Sequence, residues 1–174
     1  MGTKLDLLKA FYPYEHVESA YGIDYEDMYR QGFRGIIYDI DNTLTEHGQE
    51  ATRQAVQLFG RLRELGFKTC VISNNKEPRV APFANAVGTP YVSKAGKPSP
   101  KNYVRAMEIM STDRSNTVFV GDQIFTDVWG ANRAGVRSYL VDPIARHEEF
   151  QIVLKRYLER LVLWSYARHH KGGS

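Results

Sequence analysis

The sequence predicts an α/β fold, a three-layer doubly wound parallel sheet with helices on both faces. Three observations predict it. From residue 33 onward, short β-rich apolar runs alternate with helical patterns, which implies crossover units and a sheet covered on both sides. Polar residues capable of chemistry fall just after those runs, at the strand ends where such a sheet binds ligands. No internal repeat, low-complexity tract or long linker divides the 174 residues. One domain is expected, with its core over about residues 33–142, flanked by residues 1–32 and by a C-terminal helix over about residues 147–168.

The strands are expected at Gly35 to Ile40, Phe67 to Ile72, Tyr91-Val92, Thr117 to Val120 and Val136 to Val141. Between the first two, Ala55, Leu58, Phe59, Leu62 and Leu65 recur at helical spacing, and Gly66 is a stop signal. Ser99-Pro100 places an N-cap before a proline at the first helical position. The helix it opens carries Tyr103, Ala106, Met107 and Met110 on one face. Thr126 to Ala134 reads as a short helix closed by Gly135. Residues 1–32 show no strong period and hold five of the 11 tyrosines. From about His147 the tail reads as a long amphipathic helix, with Phe150, Val153, Leu154, Tyr157, Leu158, Leu161 and Trp164 as its apolar stripe.

Composition narrows the function. A formal charge of +3 with no recognised nucleic-acid-binding module leaves no nucleic acid expected. The single cysteine, Cys70, excludes an intramolecular disulfide and lies in an apolar run that predicts a core thiol. No run approaches the roughly 20 apolar residues of a spanning helix, and the first residues hold no signal-peptide core. The expected compartment is the cytoplasm.

The chemistry is concentrated in four segments. Ile36 to Leu44 runs a strand into Asp39 and Asp41, whose spacing of two puts both carboxylates on one side of an extended chain. Paired acids repel unless a cation lies between them or one is protonated for catalysis. Phosphoryl transfer requires both, because an attacking carboxylate must approach an anion, and Mg²⁺ offsets that repulsion. Ser73-Asn74-Asn75 follows the second run and offers a hydroxyl and amides for phosphate oxygens. Gly96-Lys97-Pro98 brings a cation, and Gly121-Asp122 with Asp127 brings two further acids.

In this order, Asp-x-Asp-x-Thr, Ser, Lys-Pro and Gly-Asp-x₄-Asp resemble the four motifs of the haloacid dehalogenase superfamily. The resemblance implies Asp39 as nucleophile, forming an aspartyl-phosphate, and Asp41 as general acid and then base. It implies Mg²⁺ held by Asp39, Asp122 and the backbone carbonyl of Asp41. Asn42, Thr43, Ser73, Asn74 and Lys97 would bind the phosphoryl group, and Asp127 would support Lys97 or a metal-bound water. An acid at position 41 argues for phosphate ester hydrolysis over dehalogenation.

The gaps at residues 45–50 and 74–96 are too short for an inserted cap, since a small independent domain needs roughly 50 residues. The arrangement, including Ser93 to Pro98, resembles the cap-less subfamily IIIA, the YqeG-like group, and through it phosphatidylglycerophosphate phosphatases. That implies an open site and a phosphorylated substrate, with a phospholipid headgroup favoured. Soluble sugar or nucleotide monophosphates, or a scaffold or assembly role for a retained fold, stay open as alternatives, as does an oligomer.

Two readings of the tail also stay open. From Lys155 to Lys171 there are five basic residues, Lys155, Arg156, Arg160, Arg168 and Lys171, against Glu159, a net of +4. A basic helix with Trp and Tyr can lie in an anionic membrane interface as a peripheral contact. A terminal helix packed on the sheet through its apolar stripe is the other reading.

Overall fold

A computed structural model describes residues 7–145 and 150–171, with side chains described over 155–170 of the second stretch. Six strands form one parallel sheet: β1 (Glu15–Val17), β2 (Gly35–Tyr38), β3 (Lys68–Ile72), β4 (Tyr91–Val92), β5 (Thr117–Gly121) and β6 (Arg137–Val141). Their order is β1-β6-β5-β2-β3-β4. The helices are α1 (Tyr25–Arg30), α2 (Arg53–Leu65), α3 (Glu77–Val87), α4 (Lys101–Met110), α5 (Trp129–Ala134) and α6 (Phe150–Lys171).

Side-chain alternation sorts the core into two layers. Ile36, Tyr38, Val71, Val118 and Val120 point to the face covered by α1, α2 and α3. Ile37, Cys70, Ile72 and Phe119 point to the face covered by α4 and α5. Cys70 is buried, and burial pushes its thiol up to about 12. The predicted three-layer parallel architecture is therefore the observed one.

The chain winds from β2 outward through β3 and β4, then returns to lay β5 on the other side of β2. The strand order reverses at that point. The carboxyl ends of β2 and β5 consequently open a crevice, the expected ligand position in a sheet of this kind. Gly66 and Gly135 end α2 and α5 in the left-handed conformation, with φ of 99° and 74°. Residues 39–52 hold only turns and an isolated Asp41–Thr45 bridge, and residues 73–96 hold only α3 and β4. Neither gap houses a cap.

Three local expectations are corrected. The α4 helix begins at Lys101 instead of Pro100, with no side-chain cap from Ser99. The segment before α5 winds as a π-helical turn over Ile124–Val128. Residues 7–32, in the flank expected to show no strong period, hold regular elements: β1 pairs with β6, and Asp24 caps α1 by accepting from the Asp27 N–H at 2.9 Å.

The tail departs furthest from its expected packing. Helix α6 is present, but Tyr157, Leu158, Leu161 and Trp164 of the predicted stripe are exposed. The side chains of Phe150, Val153 and Leu154, and His147 as a whole, lie outside the described residues. The helix packs instead through buried Glu159, Val162 and Ser165. Val162 joins Ile124, Val128 and Leu140, with Leu8, Phe11 and Tyr12 of the N-terminal segment against them. Among the described residues no helix is long and apolar enough to cross a membrane.

Candidate active site

Asp39 follows the last residue of β2, and its backbone N–H donates to the Val120 carbonyl at 2.9 Å. Its side chain is thereby fixed between the ends of β2 and β5. Asp122 follows Gly121, the last residue of β5. Carboxylate oxygens of Asp39, Asp122 and Asp127 lie within 4.8 Å of one another, and all three residues are buried. Gly121 is required for this close approach, since a Cβ there would stand 2.6 Å from Asp127 Oδ2.

Lys97 reaches the cluster from the loop after β4. Its Nζ donates to Asp39 Oδ1 and to Asp127 Oδ1, each at 2.7 Å. Burial alone would depress this ammonium, but the Asp127 and Asp39 carboxylates outweigh it and hold it above its ordinary value. Arg156, on α6, donates from one nitrogen to Asp122 Oδ2 at 2.9 Å and from another to the Asp122 carbonyl at 3.1 Å. Glu159 accepts from the Ile124 N–H at 3.0 Å, and Lys155 donates to Gln123 at 2.7 Å. The tail helix thus grips three consecutive residues, 122–124.

Three carboxylates face two cations, Lys97 and Arg156, in a buried site. Burial raises Asp39 well above the ordinary carboxylate range; the Lys97 ammonium opposes this, while Asp127 and Asp122 reinforce it. Burial, then Asp127, raises Asp122 to about 7, against the pull of Arg156. Such a surplus of buried hard oxygen donors fits a divalent cation of the Mg²⁺ type. The donor pattern also separates the three acids. Both Asp127 oxygens are engaged, Oδ1 by Lys97 and Oδ2 by the Gln123 N–H at 3.1 Å. Lys97 takes only Oδ1 of Asp39, and Asp122 meets Arg156 at Oδ2 but only the long 3.4 Å contact from Thr43 at Oδ1. Asp39 and Asp122 therefore fit as ligands, with Asp127 as their support.

The remaining expected residues are placed as follows. Thr43 is buried and donates to Asp122 Oδ1 at 3.4 Å. Ser73 is buried at the end of β3, its Oγ accepting from the Asn75 N–H at 3.1 Å. Asn74 clips both sides of the Lys97 backbone, accepting from its N–H at 2.7 Å and donating to its carbonyl at 3.2 Å. Its side chain thus holds the lysine loop rather than facing a phosphate. Asn42 adopts φ of 60°, a conformation Asn tolerates. Its side chain accepts from the Ala145 N–H at 3.4 Å, so it too turns away from the cluster.

Asp41 stands at the rim. Its Oδ1 accepts from Arg79 at 2.7 Å and from the Gly48 N–H at 2.9 Å, and Oδ2 accepts from Asn75 at 2.7 Å. Its expected metal contact runs through the backbone carbonyl, and its side chain is not in the acidic cluster. Arg79, Arg156 and Glu159 were not expected at the site, and Asn75, expected to offer its amide to phosphate, donates it to Asp41. One signal for Arg79 lies in the sequence: it is the third residue of α3, where the helix dipole disfavours a cation unless an acid answers it. Beside Asp122, a cavity of about 470 Å³ opens between the end of β6 and α6, lined in part by Leu140, Pro143, Arg160 and Leu163.

Known proteins resemble this chain in sequence and in fold. Residues 49–135 match the family model "haloacid dehalogenase-like hydrolase". The chain is 37% identical over 163 residues to the "Probable phosphatase YqeG" of Bacillus subtilis, covering 93% of this chain and 95% of that protein. It is 27% identical over 163 residues to "Phosphatidylglycerophosphate phosphatase 1, chloroplastic/mitochondrial" of Arabidopsis thaliana, covering 87% of this chain but 46% of the plant protein. Among solved structures, the cobalt-bound deoxy-D-mannose-octulosonate 8-phosphate phosphatase of Haemophilus influenzae shares the fold at a TM-score of 0.52. It is 12% identical and covers 79% of this chain and 91% of its own. With a parallel sheet whose switch point carries Asp39, Asp122 and Lys97, and with these relatives, the chain belongs to the haloacid dehalogenase-like hydrolases and is a phosphatase of that type.

Proposed function

We propose that this phosphatase hydrolyses a phosphomonoester through an aspartyl-phosphate on Asp39, and that its substrate is phosphatidylglycerophosphate, converted to phosphatidylglycerol. The carrying observation is the buried Asp39 carboxylate, held at the switch point by Lys97 on one oxygen beside Asp122. Asp39 attacks phosphorus, forming an O–P bond while the bond to the leaving oxygen breaks. Asp41 gives that oxygen its proton. Water then attacks phosphorus, Asp41 takes the water proton, and the Asp39–phosphate bond breaks to release phosphate. Thr43, Ser73 and Lys97 face the phosphoryl oxygens as charge develops. Asp39, Asp122 and the Asp41 carbonyl would hold Mg²⁺, which when bound offsets the repulsion between these carboxylates and the phosphoryl group.

The plant relative's name supports the lipid substrate, and residues 39–52 and 73–96, with no cap between them, support an open site. We place the reaction in one catalytic domain, at the cytoplasmic face of a membrane. Phosphate release from a panel of monoesters tests this. Phosphatidylglycerophosphate in mixed micelles is expected to give the highest kcat/KM, with activity lost in chelator and restored by Mg²⁺ but not by Ca²⁺. Faster turnover of sugar or nucleotide monophosphates would replace the lipid by a soluble substrate. Full activity in chelator would remove the metal.

Arg79 gives a separate prediction. Its 2.7 Å contact holds Asp41 at the rim, so Arg79→Ala should impair proton delivery to the leaving oxygen. Turnover of alkyl phosphates is expected to fall by roughly 10²-fold, the usual scale of general acid catalysis. Nitrophenyl phosphate, whose leaving group needs little protonation, should lose far less. Equal losses on both would show that Arg79 serves folding or binding instead.

A further inference from the structure

Helix α6 buries only part of its apolar surface and turns four large apolar residues outward. Its packed face is mixed: Lys155, Arg156 and Glu159 hold residues 122–124, Ser165 meets the Tyr12 hydroxyl at 2.6 Å, and Val162 and Leu163 pack with Ile124, Val128 and Leu140. Its outer face is apolar. Tyr157 is 65% exposed, Leu158 49%, Leu161 55% and Trp164 59%, and their spacing of one, four and seven residues makes a continuous stripe. Single exposed apolar residues are ordinary, but a continuous patch of large ones marks an interaction surface.

The charges around that stripe point to its occupant. Arg160 and Arg168 are exposed on the same helix, and the Arg168 guanidinium lies over the Trp164 ring at 4.1 Å. The one acid between Lys155 and Lys171, Glu159, is buried on the inner face. The outer face therefore presents apolar and aromatic groups with cations and no carboxylate. Tyr and Trp suit the boundary between headgroups and acyl chains, and arginines suit anionic headgroups.

We infer that the outer face of α6 docks on an anionic lipid surface, with Tyr157, Leu158, Leu161 and Trp164 entering the interface and Arg160 and Arg168 meeting the headgroups. The stripe begins one residue after Arg156, which holds Asp122. Docking thus sets the candidate active site beside the headgroup layer without α6 crossing the bilayer. The inference deepens the lipid-substrate reading and rests on it for the identity of the substrate, whereas its test reads binding alone.

The full chain carrying Trp129→Phe leaves Trp164 as the reporter. Its emission is expected to shift to the blue with phosphatidylglycerol-containing vesicles and to stay unchanged with phosphatidylcholine alone. Arg160→Gln with Arg168→Gln should weaken partitioning by about thirtyfold, from roughly 1 kcal/mol per cation near such a surface. High salt should mimic that variant. Leu158→Ser, Leu161→Ser and Trp164→Ser together should abolish cosedimentation while hydrolysis of a small soluble phosphate ester stays within twofold of wild type. If the triple variant loses soluble-ester turnover, the Trp164 emission and the arginine pair decide the matter. No emission shift, or partitioning unchanged in the arginine pair, overturns the inference. So does a dimer in sedimentation that the triple variant dissociates, since a second copy would then cover the face. Failure of the phosphatase reading would show differently, as absent soluble-ester turnover in wild type.

Discussion

Asp39→Asn is expected to lower turnover by on the order of 10⁴-fold or more, the scale seen when an enzyme loses its nucleophile. The substitution keeps the shape of the side chain but removes the attacking charge and one of the two carboxylates that fit a metal. Lys97 retains its 2.7 Å contact with Asp127, so the buried ammonium is not left unpaired and the fold should persist. Two measurements check the outcome. Steady-state phosphate release should fall close to background on every substrate. Quenched wild-type enzyme should also carry a phosphoryl label that hydroxylamine removes, as an acyl phosphate requires, and the variant should carry none. Activity within tenfold of wild type would rule out the covalent route.

Much of this site was legible because a parallel sheet converts sequence order into spatial order. Asp39, Ser73, Lys97 and Asp122 each follow an apolar run, and parallel strands bring all such positions to one edge. The same rule says nothing about where each side chain turns. Asn74 and Asn42 were expected to bind phosphate by proximity in sequence, yet one clips the Lys97 backbone and the other turns toward residues 144–145. Arg79 escaped notice because a helical arginine is ordinarily a solvated one. Only the partner, Asp41, at 38 positions' distance in the chain, gives it meaning.

The flanks were legible in kind and not in orientation. Strand β1 is three residues long and lies at the sheet edge, so it has too few positions to show alternation. Helix α6 has a clear apolar stripe, and the usual inference buries it. The structure buries Glu159, Val162 and Ser165 instead, because residues 122–124 offer an N–H, a carboxylate and a carbonyl that polar side chains satisfy better than apolar ones.

Without metal, the acidic cluster is expected to destabilise the fold at neutral pH, and Asp122→Asn should reveal it. In the folded chain Asp122 sits at about 7, against an ordinary value of 3.8, because burial and Asp127 disfavour its charge. Below about pH 4 the carboxyl is protonated in both folded and unfolded chains and contributes no difference. Between about pH 4 and 7 the unfolded chain releases the proton while the folded chain keeps it, so unfolding free energy falls as pH rises. Above that window the loss is complete, on the order of 1–3 kcal/mol. Asparagine has no proton to release and still offers Arg156 an acceptor, while the backbone carbonyl at 122 and Glu159 keep holding the guanidinium. In chelator at pH 7.5, Asp122→Asn should therefore melt higher than wild type by on the order of 5 °C. Mg²⁺ should reverse the order, raising the wild-type melting temperature by binding the ionised carboxylates and leaving the variant nearly unchanged. Thermal melts from pH 4 to 8, with and without Mg²⁺, read both effects independently of turnover. A wild-type chain that gains stability across this window in chelator would show that Asp122 is ionised without metal. A variant that still responds fully to Mg²⁺ would show that the ion is held elsewhere.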